Sequence, residues 1–216
     1  MNLFLHFGLL AFLLYFPVLI ALVVFAAKRH PNYSAKERWL SDLGDTRSPS
    51  YPIFKLMFIL YALVFPFLIF GLARLLPLET LSTYIIVFFI TFFCGGVSAS
   101  MLSNNVYQIQ HYICVGLVHI SVLCYGSLLG YLTMTTELLP KPFIFLNATL
   151  LFFAIAFSYC ILSLGIRSPK NGISKYAIMK KSSSLLVRYA TIIEWGYFFS
   201  VIGYCFALGL IAYIHW

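Results

Sequence analysis

Two ionisable side chains, His119 and Glu194, lie within stretches of sequence that are otherwise apolar. An ionisable residue at the centre of a membrane-spanning helix costs about 2.5–3.5 kcal/mol on insertion scales, so each one needs a chemical or structural reason. His119 lies about seven residues and Glu194 about five residues into its stretch, or roughly 8–10 Å below one common face at 1.5 Å per residue. The two side chains are therefore predicted to lie at similar depth, where they can meet.

The chemistry open to this pair depends on whether the two groups are neighbours. A carboxylate beside a histidine favours the imidazolium form, whereas burial favours the neutral form of both groups. Such a pair can hold or move a proton. It can also be a buried hydrogen bond that joins two helices, and the sequence leaves both interpretations open.

A second polar cluster, with Asp42 and Asp45, precedes the second apolar stretch. The two carboxylates are candidates for acid–base chemistry or for cation binding. Ser, Asp, Gly and Pro, which are frequent here, are also the residues of a tight turn before a membrane helix. The candidate polar pocket thus comprises Asp42, Asp45, His119 and Glu194, near one face of the protein.

Six long apolar stretches must position these side chains, and each approaches or exceeds the ~20 residues that cross the hydrocarbon core of a bilayer. The stretches are Leu3 to Ala27, Leu56 to Ala73, Tyr84 to Leu102, Tyr112 to Met134, Phe143 to Ile166 and Tyr189 to Ile214. The chain is 62% hydrophobic and 9% charged, against about 45–50% and about 25% in soluble domains. Continuous apolar runs favour helices over strands. We predict an all-α polytopic membrane protein, a six-transmembrane-helix bundle with one domain over residues 1–216.

Basic residues lie almost entirely on one side of this predicted bundle. The first and fifth loops, with the adjoining helix ends, carry twelve of the 14 Lys and Arg: Lys28, Arg29, Lys36, Arg38, Arg47, Lys55, Arg167, Lys170, Lys175, Lys180, Lys181 and Arg188. Arg74 and Lys141 lie on the opposite side. The positive-inside rule therefore predicts that loops one and five are cytoplasmic and both termini outside. We expect a location in the plasma (inner) membrane.

The predicted partners are membrane lipids, especially those with anionic headgroups. Each Lys or Arg beside such a surface contributes on the order of 1 kcal/mol, and we expect headgroup contacts from Lys175, Lys180, Lys181 and Arg188. The fifth loop is predicted to be either a short surface helix or an irregular basic loop. The formal charge of +8 does not indicate nucleic acid, because the basic residues flank membrane anchors. A homo-oligomer is compatible with the sequence.

No residue set predicts a metal or another cofactor. The five cysteines have no metal-ligand spacing, so we interpret them as packing residues. His6 and His215 share the outer face but lie too near the chain ends for a deeply buried haem. Asn147 lies in the fifth apolar stretch and is predicted to hydrogen-bond to another helix.

The first loop also carries a family resemblance. The run Ser41-Asp42-Leu43-Gly44, followed by Ser48-Pro49 and a helix opening with Ile53-Phe54, resembles the first-loop signature of six-helix membrane proteins related to the DRAM-like group, in particular a bacterial domain family of unknown function. His119 and the Glu194-Trp195 pair are similar to that group's pattern.

This resemblance implies a six-helix bundle and carries Asp42, Gly44, His119 and Glu194 across as site residues. From eukaryotic relatives it implies roles in autophagy, lipid-anchor remodelling and plasma-membrane lipid organisation. Several of those relatives have the first loop outside the cytoplasm, whereas the charge distribution of this chain predicts it inside.

Three classes of function follow from these observations. The leading hypothesis is a non-enzymatic protein that binds or organises lipid, with a polar pocket near the cytoplasmic face. The first alternative is a membrane-embedded lipid-modifying enzyme in which Asp42, His119 and Glu194 act as acids and bases or bind a metal. The second alternative is a small proton-coupled transporter, since intramembrane His and Glu serve in proton relays.

Overall fold

Long helices account for nearly all of the residues that the structure describes. The computed structural model describes residues 3–31, 33–35, 40–76, 80–101, 108–165 and 185–215. Within these ranges lie six α-helices: α1 Leu3–Arg29, α2 Tyr51–Leu75, α3 Thr80–Met101, α4 Gln108–Thr135, α5 Phe143–Gly165 and α6 Leu185–Ile214. A short 3₁₀ helix, Leu40–Gly44, lies between α1 and α2. The predicted all-α class and six apolar helices are confirmed.

Four helices begin four or five residues before the predicted apolar stretches. α2 begins at Tyr51, where Pro52 occupies the first turn and lacks an N–H that would have no partner inside the helix. The preceding Ser50 donates its hydroxyl hydrogen to the Leu43 carbonyl at 2.8 Å, which ties the helix start to the 3₁₀ helix. Polar residues in a first turn can reach interfacial water, so hydropathy alone places these helix starts too late.

The six helices pack mainly with their neighbours in the sequence. Each of α2 to α5 contacts the helix after it, and α6 returns to contact α1 and α2. Helices α2 to α6 therefore form a ring, and α1 lies against its α2 and α6 side. The 3₁₀ helix contacts α2 and α6, at the end of the bundle that carries the first loop.

Aromatic side chains fill the interior of this ring. Phe65 of α2 stacks on Phe93 of α3 at 5.5 Å between ring centroids, and Phe89 of α3 stacks on Tyr125 of α4 at 4.2 Å. Gly95 lets α3 approach α4, because a β-carbon there would lie 3.0 Å from a methyl of Val118. Small residues such as glycine allow two membrane helices to approach closely.

The outer surface of the bundle is apolar. Phe145, Phe152 and Tyr159 on α5 are exposed by 75%, 66% and 68%. Each of the six helices contains a segment long and apolar enough to cross a bilayer. A soluble protein rarely exposes so much contiguous apolar surface, so this chain is an integral membrane protein.

Candidate functional site at the basic end of the bundle

Glu194 anchors the first loop to α6. Its Oε2 accepts a hydrogen bond from the backbone N–H of Leu40 at 2.7 Å, and both residues are buried. Leu40 begins the 3₁₀ helix, and the first N–H groups of a helix have no partner within it. A carboxylate that accepts such a hydrogen bond forms one of the stronger kinds of contact. We call this contact the Glu194 latch.

Apolar packing holds the same loop against the bundle. Leu40 and Leu43 are buried in a cluster formed mainly by α1 and α2, whose other buried members are Tyr15, Leu19, Val23, Ala26, Phe54 and Met57. Within the cluster, the Tyr15 hydroxyl donates to the Met57 carbonyl at 2.7 Å. The 3₁₀ helix is therefore a packed part of the fold.

Asp45 and Asp42, the two carboxylates predicted in the first loop, both contact residues of that same loop. Asp45 forms an ion pair with Arg47 at 2.9 Å and also accepts the Arg47 backbone N–H at 2.9 Å. The hydrogen bond from the Arg47 side chain lowers the pKa of Asp45 below its ordinary value. Asp42 is half-buried in the 3₁₀ helix, and its carbonyl accepts the Asp45 N–H at 3.1 Å. These contacts form the tight turn that the sequence offered as one interpretation.

His119 lies in an aromatic environment and is not hydrogen-bonded to Glu194. Its Nδ1 lies 3.0 Å from the Val115 carbonyl, and its ring packs against Phe157 and Tyr197 with centroid distances of 5.0 and 4.8 Å. Its Nε2 is buried and has no hydrogen-bond partner among the described residues. A direct hydrogen bond between His119 and Glu194, one of the sequence-based possibilities, is therefore not formed.

Of the four candidate pocket residues, the structure links only some. Glu194 is joined to the loop segment that contains Asp42 and Asp45, through Leu40. His119 is on α4, and its neighbour Tyr197 is three residues from Glu194 on α6. A single pocket shared by all four stays a prediction.

Of the four residues expected to contact lipid headgroups, one lies in the part of the chain that the structure describes. Lys175, Lys180 and Lys181 lie outside the described residues, as does the segment predicted to be a surface helix or irregular loop. Arg188 falls in the first turn of α6. These headgroup contacts stay predictions.

A groove opens beside the Glu194 latch, between α1, α6 and the first loop. It has a volume of about 440 Å³ and is lined by Ile20, Val23, Val24, Ala27, Lys28, Tyr33, Ala35, Trp195 and Phe199. Every α1 residue in this lining is apolar except Lys28, which is exposed at the end of the groove near the basic face. Among its described lining residues, the groove thus combines a long apolar wall with one cation, Lys28, at one end.

Sequence reasoning missed two features and predicted a third. It did not identify Leu40 as the partner of Glu194, because the donor is a backbone N–H that no side-chain pattern reveals. It also gave no role to the interior tyrosines. It did predict the role of Asn147, whose Oδ1 accepts a 2.9 Å hydrogen bond from the Tyr204 hydroxyl and so joins α5 to α6.

Metal coordination has no candidate among the described side chains. No three His, Cys, Asp or Glu in that part of the chain lie close enough to share an ion. No family model, curated protein or solved structure matches this chain.

Proposed function

We propose that this integral membrane protein binds an anionic lipid in the groove between α1, α6 and the first loop. The acyl chain packs along the apolar wall, and the headgroup phosphate pairs with Lys28. The observation that carries the proposal is this combination of apolar lining and a terminal cation on the lipid-facing side of the bundle. Its volume of about 440 Å³ is within the ~300–1,000 Å³ of small-molecule sites.

The Glu194 latch gives the groove a fixed third wall. Tyr33 and Ala35 of the first loop line the groove, and the same loop is fastened at Leu40 by Glu194. Because Trp195 follows Glu194 and also lines the groove, one turn of α6 supplies both the anchor and part of the wall. The role of Glu194 in this proposal is to position the loop.

The charge distribution supports an anionic headgroup over a zwitterionic one. Lys28 and Arg29 end α1 beside the groove, and basic residues near a membrane surface attract anionic lipids at about 1 kcal/mol each. The enzyme hypothesis has no comparable support, since His119 is hydrogen-bonded to neither Glu194 nor Asp42. That the chain is related to the DRAM-like group is also a proposal.

Native mass spectrometry of the purified protein tests the site. The protein is mixed separately with phosphatidylglycerol and phosphatidylcholine, and the retained lipids are counted. We expect phosphatidylglycerol to be retained preferentially. Lys28→Gln should weaken its retention roughly fivefold, which corresponds to the loss of about one headgroup contact. Val24→Trp, which fills the groove, should weaken retention of both lipids.

Lys141→Gln is the matched control because it removes one positive charge at the opposite end of the bundle. It should leave retention unchanged. Equal retention of the two lipids by the wild type, or wild-type retention by both Lys28→Gln and Val24→Trp, would contradict the proposal.

A further inference from the structure

The interior of the ring contains polar atoms without protein partners. The hydroxyls of Tyr61, Tyr125 and Tyr197 and the Nε2 of His119 are buried and have no hydrogen-bond partner among the described residues. They come from three helices, α2, α4 and α6. Buried polar groups are nearly always hydrogen-bonded, and where protein partners are lacking ordered water usually supplies them.

His119, Tyr125 and Tyr197 lie in the interior between α4 and α6, and Tyr61 lies on the α2 side of that interior. Tyr61 packs against Phe65 at 4.7 Å between ring centroids, and Phe65 packs against Phe92, whose ring contacts that of Tyr125 at 5.7 Å. Aromatic contacts therefore connect the unpartnered groups into one cluster in the interior of the bundle.

The cluster is elongated along the membrane normal. At one level the ring of His119 contacts that of Tyr197, at 4.8 Å between centroids. At the next level Tyr125 and Tyr204 are 6.0 Å apart, and Tyr204 donates to Asn147. A β-carbon on Gly130 would collide with the Asn147 amide nitrogen, so Asn147 packs against α4 five residues beyond Tyr125. We call the series His119, Tyr197, Tyr125, Tyr204 and Asn147 the polar file.

The polar file extends over much of the bilayer thickness. His119 and Gly130 are eleven residues apart on α4, which is about 16 Å along a helix. His119 is six residues from Ile113, where the membrane-spanning part of α4 begins, and Asn147 is four residues from the start of α5 at the opposite end. The polar file itself therefore covers about half of a hydrocarbon core of about 30 Å, and short apolar helix segments of roughly 9 Å and 6 Å lie beyond its two ends.

We propose that the polar file holds a chain of buried water molecules and conducts protons between the two ends of the bundle. The Tyr125 and Tyr197 hydroxyls and the Nε2 of His119 bind these waters. The activity is separate from the lipid groove, because no residue of the polar file lines that groove.

The chemistry is proton transfer along hydrogen bonds, with no redox step. The Val115 carbonyl can only accept, so His119 donates from Nδ1 and its Nε2 keeps a lone pair for a proton. A proton that arrives at Nε2 passes to the adjacent water, each water accepts one proton and releases another, and one proton leaves beyond Asn147. A hydroxyl both accepts and donates, so each tyrosine can maintain the chain of hydrogen bonds.

Proton flux into sealed liposomes tests this activity. The wild-type protein is reconstituted with a pH-sensitive dye inside, and a potassium gradient with valinomycin supplies the driving voltage. We expect internal pH to change faster than in protein-free liposomes. Tyr125→Phe and Tyr197→Phe should each slow the flux roughly tenfold, because each removes a hydrogen-bonding link.

Tyr159→Phe is the matched control, since Tyr159 points to lipid from α5 with 68% exposure, and it should conduct like the wild type. The unfolding temperature of each variant in detergent gives an independent readout. A dry, unsatisfied hydroxyl is unfavourable, so its removal would raise that temperature, whereas removal of a hydrated one would not. If one variant does not fold, the other decides the result. Wild-type flux no faster than in protein-free liposomes, wild-type flux in the folded Tyr→Phe variants, or a raised unfolding temperature in them would overturn the proposal.

Discussion

The basic end of the bundle and its interior differ in whether their buried polar side chains have hydrogen-bond partners among the described residues. At the basic end, Glu194 and Ser50 both reach across to backbone groups of the 3₁₀ helix. In the interior, the hydroxyls of Tyr61, Tyr125 and Tyr197 reach no described partner. The difference teaches that polar groups at the loop hold the fold together, whereas those in the interior are available to a polar ligand such as water.

Among the described tyrosines of the interior, Tyr204 differs from these three because its hydroxyl donates a hydrogen bond to Asn147. This hydrogen bond joins α5 and α6, and so it resembles the loop contacts in its structural role. This bond provides an internal reference, because the tyrosine at position 204 has a hydrogen-bond partner, whereas the one at position 125 has none among the described residues.

The largest expected effect comes from removing the Glu194 latch at the basic end of the bundle. Glu194→Ala leaves the buried N–H of Leu40 without its carboxylate partner, and we expect it to lower the free energy of unfolding by about 2–3 kcal/mol. Glu194→Gln keeps a carbonyl acceptor and should lower it by about half as much. Denaturant titration in mixed micelles measures both. An unfolding midpoint equal to that of the wild type in both variants would show that the latch contributes little.

A second variant disrupts the hydrogen bond between Tyr204 and Asn147 in the interior. In Gly130→Ala the new methyl group meets the Asn147 amide, which must rotate away from Tyr204 to make room. We expect a loss of about 2 kcal/mol, within the range for overpacking. Gly203→Ala is the control because its methyl group has no neighbour within 4 Å, and it should be neutral or slightly stabilising. Comparable unfolding midpoints for the two alanine variants would contradict the close packing.

A double-mutant cycle measures how much this hydrogen bond contributes to stability. Tyr204→Phe, Asn147→Ala and the double variant together give the coupling energy between the two side chains. Hydrogen bonds between membrane helices contribute about 0.6 kcal/mol on average and up to about 1.7 kcal/mol. We expect the upper half of this range because both side chains are buried. Additive effects of the two substitutions would show that the bond is not stabilising.

The smallest expected effect concerns the ion pair of the first loop. The Arg47 side chain lowers the pKa of Asp45, so the pair stabilises the folded state above the ordinary aspartate pKa. That contribution is lost as the pH falls through the lowered value. It should amount to about 0–1 kcal/mol, because Arg47 is 74% exposed. The pH dependence of the unfolding midpoint below about pH 4, compared with Asp45→Asn, measures it. If the unfolding midpoint of Asp45→Asn depends on pH in the same way as that of the wild type, Asp45 is not the cause of this dependence.

The sequence predicted the part of this protein that composition controls. Six apolar stretches predicted six helices because a spanning backbone must form its hydrogen bonds within each helix. Asn147 was predictable as a contact between helices because an amide in an apolar stretch needs a partner. The similar depth of His119 and Glu194 in the membrane stays a prediction, since it comes only from counting residues along each helix.

The tertiary structure decided which of these polar groups meet. The helices are apolar around most of their circumference, so the sequence contains little information on how each helix is rotated. Rotation is set by side-chain packing, and it turns His119 towards Phe157 and Tyr197. The partner of Glu194 is a backbone N–H, which every residue except proline carries. Only the packing of Leu40 and Leu43 against α1 and α2 brings that N–H to the carboxylate.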